Sequence, residues 1–181
     1  MSMRVVAGKY RHRLLVYPDD ALHIRPTKDR IREAIFSSLG PIQGLKVLDL
    51  YAGSGAMAIE ALSREAKEAY LVDNNKNAIS TINKNISNLA INNAKVLFLN
   101  DFDALEKFKN DGIDFDLIFL DPPYKEGQYI EVIKYIIDNH LITKEGRIIT
   151  ECDHELDFSS FEFARIKTHQ YGEIKVNVLH L

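Results

Sequence analysis

A single cysteine, Cys152, stands among 181 residues. One thiol cannot form an internal disulfide, and its apolar neighbours suit a small packed residue better than a nucleophile. No uninterrupted apolar run approaches the roughly 18–20 residues that span a bilayer. The start, Met1-Ser2-Met3-Arg4, lacks the apolar stretch of a secretory signal, so a cytoplasmic location is expected. Metal-ligand spacing is missing too. His12, His23, His140, His154, His169 and His180 contain no pair at ligand spacing, and one cysteine cannot complete a zinc cluster, so no metal site is expected. Internal repeats, low-complexity tracts and long linkers are absent. With 46% apolar and 27% charged residues, one domain over residues 1–181 is the expectation.

Positive charge is in short supply, the net being −3, but it is unevenly spread. Residues 1–46 hold nine basic residues (Arg4, Lys9, Arg11, Arg13, Arg25, Lys28, Arg30, Arg32, Lys46) against four acidic ones (Asp19, Asp20, Asp29, Glu33), a balance of +5. Residues 47–181 carry 14 basic and 22 acidic residues, or −8. A basic arm on a catalytic body would show this asymmetry, because Arg and Lys contacts to phosphate dominate nucleic-acid affinity. A solvated charged surface would show it as well.

The arm begins with two extended stretches, 4–7 and 14–16, flanking the polar turn Gly8-Lys9-Tyr10-Arg11-His12-Arg13. They read as a hairpin with a basic tip. Arg25-Pro26-Thr27 follows, with Thr27 a candidate N-cap for a helix in which Ile31, Ala34, Ile35 and Leu39 recur at helical spacing until Gly40-Pro41. From Lys46 the pattern becomes strand, loop, helix, repeated. Apolar runs at 47–50, 69–72, 96–99, 117–120 and 147–150 alternate with helical stretches at about 56–65, 75–89, 102–109 and 127–140. That alternation predicts an α/β fold, a mostly parallel sheet with helices on both faces. The stretches 161–168 and 175–181, joined near Tyr171-Gly172, should add an antiparallel hairpin at the sheet edge.

The first strand of the body runs into Asp49-Leu50-Tyr51-Ala52-Gly53-Ser54-Gly55, and a helix opens near Ala56. Glycines belong where the backbone turns tightly and approaches a ligand, and the helix N-terminus offers free N–H groups. Asp73 closes the second strand 20 residues after Gly53, where a carboxylate can accept from both ribose hydroxyls, with Asn74 beside it. The loop alone also fits a dinucleotide, or a strand-to-helix turn without ligand. Asp49 tilts the choice, since a carboxylate repels a pyrophosphate but suits the cationic amino-acid end of S-adenosylmethionine. Asp101 lies where adenine should fall, with Phe102 beside the ring; the other reading of Asp101 is a helix N-cap.

Asp121-Pro122-Pro123-Tyr124 follows the fourth strand of the body. An exocyclic base amine is conjugated with its ring and is a poor nucleophile. The Asp121 carboxylate and Pro122 carbonyl can accept its two hydrogens, while Pro122 and Pro123 stiffen the loop. Tyr124 offers a face for stacking the base. The same residues could form a plain turn, since Asp-Pro is common in turns.

These blocks resemble the RsmD family, the 16S ribosomal RNA guanine-N2 methyltransferases. The likeness covers Arg4-Val5-Val6-Ala7-Gly8 with Lys9 and Arg11, Arg25-Pro26-Thr27 with Asp29-Arg30, Arg32 to Phe36, Asp49 to Gly55, Glu60 to Arg64, and Asp121 to Tyr124. Tyr51 in place of phenylalanine, Ala58 in place of glycine and Glu65 in place of glycine are departures. The resemblance implies a Rossmann-like class I methyltransferase with a seven-stranded sheet, S-adenosylmethionine as cofactor, and the guanine 2-amino group as acceptor. It gives Arg25 and Thr27 a place lining the cleft, and makes Arg4, Lys9, Arg11, Arg13 and Arg30 the candidates for gripping 16S RNA in a 30S subunit or assembly intermediate. A monomer is expected. The residues themselves leave adenine N6 or another exocyclic amine, in DNA or RNA, open as acceptor. A dinucleotide oxidoreductase and a catalytically lapsed RNA-binding module are the other classes.

Overall fold

Continuous apolar runs on short strands can be buried only by layers on both sides of a sheet, and the computed structural model, which describes residues 3–17, 29–123 and 126–181, has that arrangement. The elements are β1 (Met3–Arg4), β2 (Leu14–Leu15), α1 (Asp29–Leu39), β3 (Lys46–Asp49), α2 (Ala56–Ser63), β4 (Glu68–Asp73) and α3 (Lys76–Asn88). They continue with β5 (Ala94–Phe98), α4 (Asp101–Asn110), β6 (Phe115–Leu120), α5 (Glu126–Asp138), β7 (Ile142–Cys152), β8 (Arg165–Tyr171) and β9 (Ile174–His180). Seven strands form one sheet in the order β5-β4-β3-β6-β7-β9-β8, and β1 pairs with β2 separately. The five strands from β5 to β7 are parallel, while β9 is antiparallel to β7 and β8. Strand order reverses between β3 and β6, so their carboxyl ends open a crevice at the switch point.

Two apolar clusters sandwich the sheet. On one face Val47, Leu71, Leu117, Phe119, Ile149 and Val178 meet Ile35 and Phe36 of α1, Ile59 of α2 and Ile82 of α3. On the other, Leu48, Val72, Ile118 and Ile148 meet Leu105 and Phe108 of α4 and Val132 and Ile136 of α5. Each such side chain contributes roughly 1.5–3 kcal/mol when fully buried. Met3, Val5 and Leu15 belong to the first cluster, so the basic N-terminal hairpin is packed onto the body.

Its strands are shorter than the expected 4–7 and 14–16, because the backbone between them bonds to α2 instead. Val6 N and Ala7 N donate to the two Glu60 carboxylate oxygens at 2.8 and 3.0 Å, and Lys9 N donates to the Ser63 carbonyl at 2.8 Å. Gly8 makes this approach possible: with φ +81°, a Cβ there would lie 1.9 Å from the Ser63 carbonyl oxygen. Glu65, the departure from a family glycine, has φ 70°, a left-handed conformation at the end of α2 that glycine adopts without strain. The proposed cap Thr27 lies outside the described residues.

The C-terminal hairpin is present but shifted. Residues 161–164 do not join β8; Phe161 and Phe158 pack on Phe163 at 5.6 and 6.1 Å, and all three rings lie against the second cluster. β7 starts at Ile142, five residues ahead of the expected strand, with an irregularity in its register between Phe115 and Leu117 of β6. Cys152 is buried, its thiol donating to the His154 carbonyl at 3.2 Å.

Candidate active site

The carboxyl ends of β3, β4 and β6 supply most of the acidic groups of one cleft. Its larger lobe, about 350 Å³, is lined by Tyr51, Gly53, Asp73, Asn74, Asn100, Asp101, Asp121, Pro123 and Gln128 among others. A smaller lobe of about 90 Å³ shares Tyr51, Gly53 and Asp121 and adds Asp49, Ala52, Ser54, Glu151 and the N-terminal side chains Met3 and Ile35. The larger lobe is within the usual size of a small-molecule site.

The glycine loop is built from its backbone outward. Gly53 and Gly55 have φ 55° and 80°, and a Cβ at Gly55 would come within 3.1 Å of Leu71. Gly53 N donates to Asp73 Oδ2 and Asn75 N to Asp73 Oδ1, each at 2.8 Å, so Asp73 is aimed while lone pairs remain on both oxygens. Asn85, buried on α3, donates to the Ser54 carbonyl and the Val16 carbonyl, both at 3.0 Å, and accepts from Val16 N at 2.7 Å. One amide side chain thus ties the loop to the N-terminal segment. Sequence reading missed it; the signal was an asparagine on the apolar face of a helix, beside Ile82.

Asp49 is 4% exposed, and Ala58 N donates to its Oδ2 at 3.3 Å. Burial is the main force pushing its pKa up to about 7; the Ala58 bond opposes it and the Asp73 charge adds to it. Asp121 follows β6 and is driven well above the usual carboxylate range, first by burial, then by Glu151, Asp49 and Asp153. Asp121 is exposed and lines both lobes of the cleft. Register explains the Glu151 neighbour: Leu120 pairs with Thr150 across β6 and β7, placing Asp121 and Glu151 side by side one residue later. A cation placed in the cleft would favour the ionised forms of Asp49 and Asp121, the two carboxyls that burial first and neighbouring carboxylates second hold above their usual range.

Asp101 is not the N-cap of α4. That place is taken by Asn100, whose side chain accepts from Asp103 N at 2.8 Å. The Asp101 carboxylate instead accepts from Tyr51 Oη at 2.8 Å, Gln128 Nε2 at 2.7 Å and Phe102 N at 2.8 Å, fixing it at the wall of the cleft. Phe102 is 36% exposed and packs edge-on against Tyr135 at 5.6 Å; it is not among the side chains lining the cleft. Pro122 is buried and Pro123 exposed, whereas Tyr124, Arg25 and Thr27 lie outside the described residues.

The basic candidates divide. Lys9, Arg11, Arg13 and Arg30 are exposed. Lys9 lies over the Tyr10 ring at 5.2 Å and Arg13 donates to the Asn88 carbonyl at 3.0 Å. Arg4 is 3.6 Å from Asp29, an ion pair that ties it to α1. Arg32 is fully buried, donating to Asp29 at 2.8 Å and to the Arg4 carbonyl, with its Nε 3.6 Å from Glu60. It therefore anchors the arm.

The whole described architecture has counterparts among known proteins. The family model "Conserved hypothetical protein 95" matches residues 3–180. Ribosomal RNA small subunit methyltransferase D of Escherichia coli K12 is 36% identical over 155 residues, 85% of this chain and 76% of that protein. Putative rRNA methyltransferase YlbH of Bacillus subtilis is 36% identical over 157 residues, 86% of this chain and 85% of its own length. A solved structure of the putative methyltransferase yhhF from Escherichia coli superposes with a TM-score of 0.82 at 31% identity, covering 99% of this chain and 98% of that one.

Proposed function

Because this chain belongs to the family of ribosomal RNA small subunit methyltransferase D, we propose that it transfers a methyl group from S-adenosylmethionine to the exocyclic 2-amino group of a guanine in 16S ribosomal RNA. The observation that carries this reading is the juxtaposition of Asp121 with the glycine-loop cleft, where Asp49, Asp73 and Asp101 converge.

The residues fit the cofactor. Asp73 would accept from the ribose hydroxyls, the Gly53–Gly55 backbone would follow the main body of the nucleoside, and Asp101 would face the adenine. Asp49 would meet the ammonium, whose charge offsets both the burial that chiefly raises Asp49 and Asp121 and the carboxylate repulsion that adds to it. A pyrophosphate would worsen that repulsion, which disfavours a dinucleotide. S-adenosylmethionine supplies a methyl group already activated on a sulfonium. Asp121 and the Pro122 carbonyl accept the two amine hydrogens and aim the nitrogen lone pair, and the two prolines hold these acceptors in place before the base arrives. Positioning of this kind can supply roughly 7–11 kcal/mol of barrier lowering. No nucleophilic side chain or metal is needed.

Tyr124 would stack on the base, and Arg25 and Thr27 would line the cleft. Lys9, Arg11, Arg13 and Arg30, with Arg4 at the edge, would hold phosphates around it. The choice of guanine is what family membership implies, because Asp121 and Pro122 suit any exocyclic amine. The protein acts as a cytoplasmic monomer of a single domain, its residues 1–46 forming the basic arm, on a 30S particle or assembly intermediate. Asp121→Ala should lower kcat at least about 100-fold while leaving S-adenosylmethionine binding nearly intact. Activity within threefold of wild type would overturn the assignment.

A further inference from the structure

The edge strand β8 presents a stripe that the reaction described so far does not use. Antiparallel partners share a face, and successive residues alternate. Arg165 pairs with His180 and His180 with Arg147; Lys167 pairs with Val178 and Ile149; His169 pairs with Val176 and Glu151. Arg165, Lys167, His169 and Tyr171 therefore stand at period two on one face, the face on which Val176 and Val178 meet the cluster containing α1 and the N-terminal hairpin. The spacing along the stripe is about 6.7 Å. It runs from the Arg147–His180–Arg165 row at one end to the row of Glu151, a cleft residue, near the other.

The chemistry of the stripe changes along its length. Neither Arg165 nor Lys167 has an ion-pair partner among the described residues, although both belong to the acidic part of the chain. Arg165 is exposed and Lys167 half-buried. His180, between Arg165 and Arg147, is held below the usual imidazole range by burial and then by Arg147, Lys167 and Arg165, so these cations surround it. Its Nε2 and that of His169 are buried without a hydrogen-bond partner among the described residues. Toward the cleft, the His169 and Tyr171 rings stack at 6.3 Å with 19° between planes. Unpaired cations leading to stacked rings form the combination that grips a single strand, with phosphates on the cations and bases on the rings.

We propose that this face of β8 holds single-stranded RNA flanking the target base, with Arg165 and Lys167 contacting phosphates and His169 and Tyr171 stacking a base on its way to the cleft. The proposal rests on the RNA-methylating reading given above, and direct binding separates the two. A fluorescent single-stranded 16S-derived oligoribonucleotide would be titrated against wild type, R165E/K167E and, as a control on the opposite face, Lys109→Glu. The double variant should bind more weakly, with its salt slope reduced by about 1.4 if two phosphate contacts are lost. S-adenosylmethionine affinity and kcat at saturating RNA should stay unchanged, and Lys109→Glu should match wild type. Tyr171→Ala should weaken binding roughly 5- to 150-fold, with Tyr171→Phe restoring it. Affinity and salt slope of R165E/K167E equal to wild type would overturn the proposal. Wild type that binds the RNA but methylates no guanosine would sink the catalytic reading and leave the β8 result standing on its own.

Discussion

Glu60→Gln should destabilise the protein far more than its conservative chemistry suggests. The Glu60 carboxylate is 0% exposed, in a helix whose only other polar side chain is that of Ser63, and accepts from Val6 N, Ala7 N and Arg64 Nε at 2.8, 3.0 and 2.9 Å. The guanidinium of Arg32, also 0% exposed, lies 3.6 Å away. Removing one partner of a buried ion pair costs about 3–5 kcal/mol, because the remaining charge is left without compensation. Here Asp29 still reaches Arg32 at 2.8 Å, which places the expected loss near the lower limit, about 3 kcal/mol. Against a typical total of roughly 5–15 kcal/mol this is a large fraction. Urea denaturation at neutral pH measures it. Arg64→Gln provides the contrast: it leaves Glu60 compensated by Arg32 and by the Val6 and Ala7 N–H groups, so its loss should be clearly smaller than that of Glu60→Gln. A loss below 1 kcal/mol for Glu60→Gln, or one equal to that of Arg64→Gln, would refute the view that this carboxylate anchors the arm. The variant should also lose activity near its reduced Tm, because Met3 and Ile35 line the cleft only while the arm is docked.

Two further outcomes follow from charge. Asp49 is raised from 3.8 to about 7, so the folded apo protein binds more protons than the unfolded chain within that window. Its contribution to stability therefore grows as pH falls from about 7 toward 3.8 and is absent above it. Asp49→Asn should flatten this slope and stabilise the apo protein at pH 8, by at most roughly 4 kcal/mol, while weakening S-adenosylmethionine binding; an apo variant less stable than wild type at pH 8 would contradict the assignment. Charge reversal of Arg11 and Arg13 together should weaken RNA binding and lower the magnitude of its salt slope by about 1–2 with cofactor affinity preserved, and an unaltered slope would remove the hairpin from the RNA surface.

The parallel sheet was legible because each of its strands contains a short apolar run, and Asp49, Asp73, Asp101 and Asp121 could be placed at or just past strand ends by counting. Contacts between distant segments were not. Nothing local says that Val6 N and Ala7 N will bond to Glu60 rather than across a hairpin, and this is why β1 and β2 are two residues long. Arg32 counted among the basic residues of the arm, yet it lies on the buried side of α1 with Ile31, Ile35 and Phe36. Phe102 follows Asp101 in sequence but turns to Tyr135, because the first turn of a helix sends neighbouring side chains in different directions. The beginning of β8 was misplaced because Phe161 and Phe163 have strand propensity but find aromatic partners instead. Asn85 shows the limit most clearly: its three partners come from Val16 and Ser54, 69 and 31 residues away.

The most direct test of the central claim is nucleoside analysis after incubation with labelled S-adenosylmethionine and, in parallel, 30S particles, free 16S RNA and DNA. The account predicts label in N2-methylguanosine from the ribosomal substrates and none after Asp121→Ala. Label in N6-methyladenine or in DNA, or transfer that survives Asp121→Ala, would contradict it.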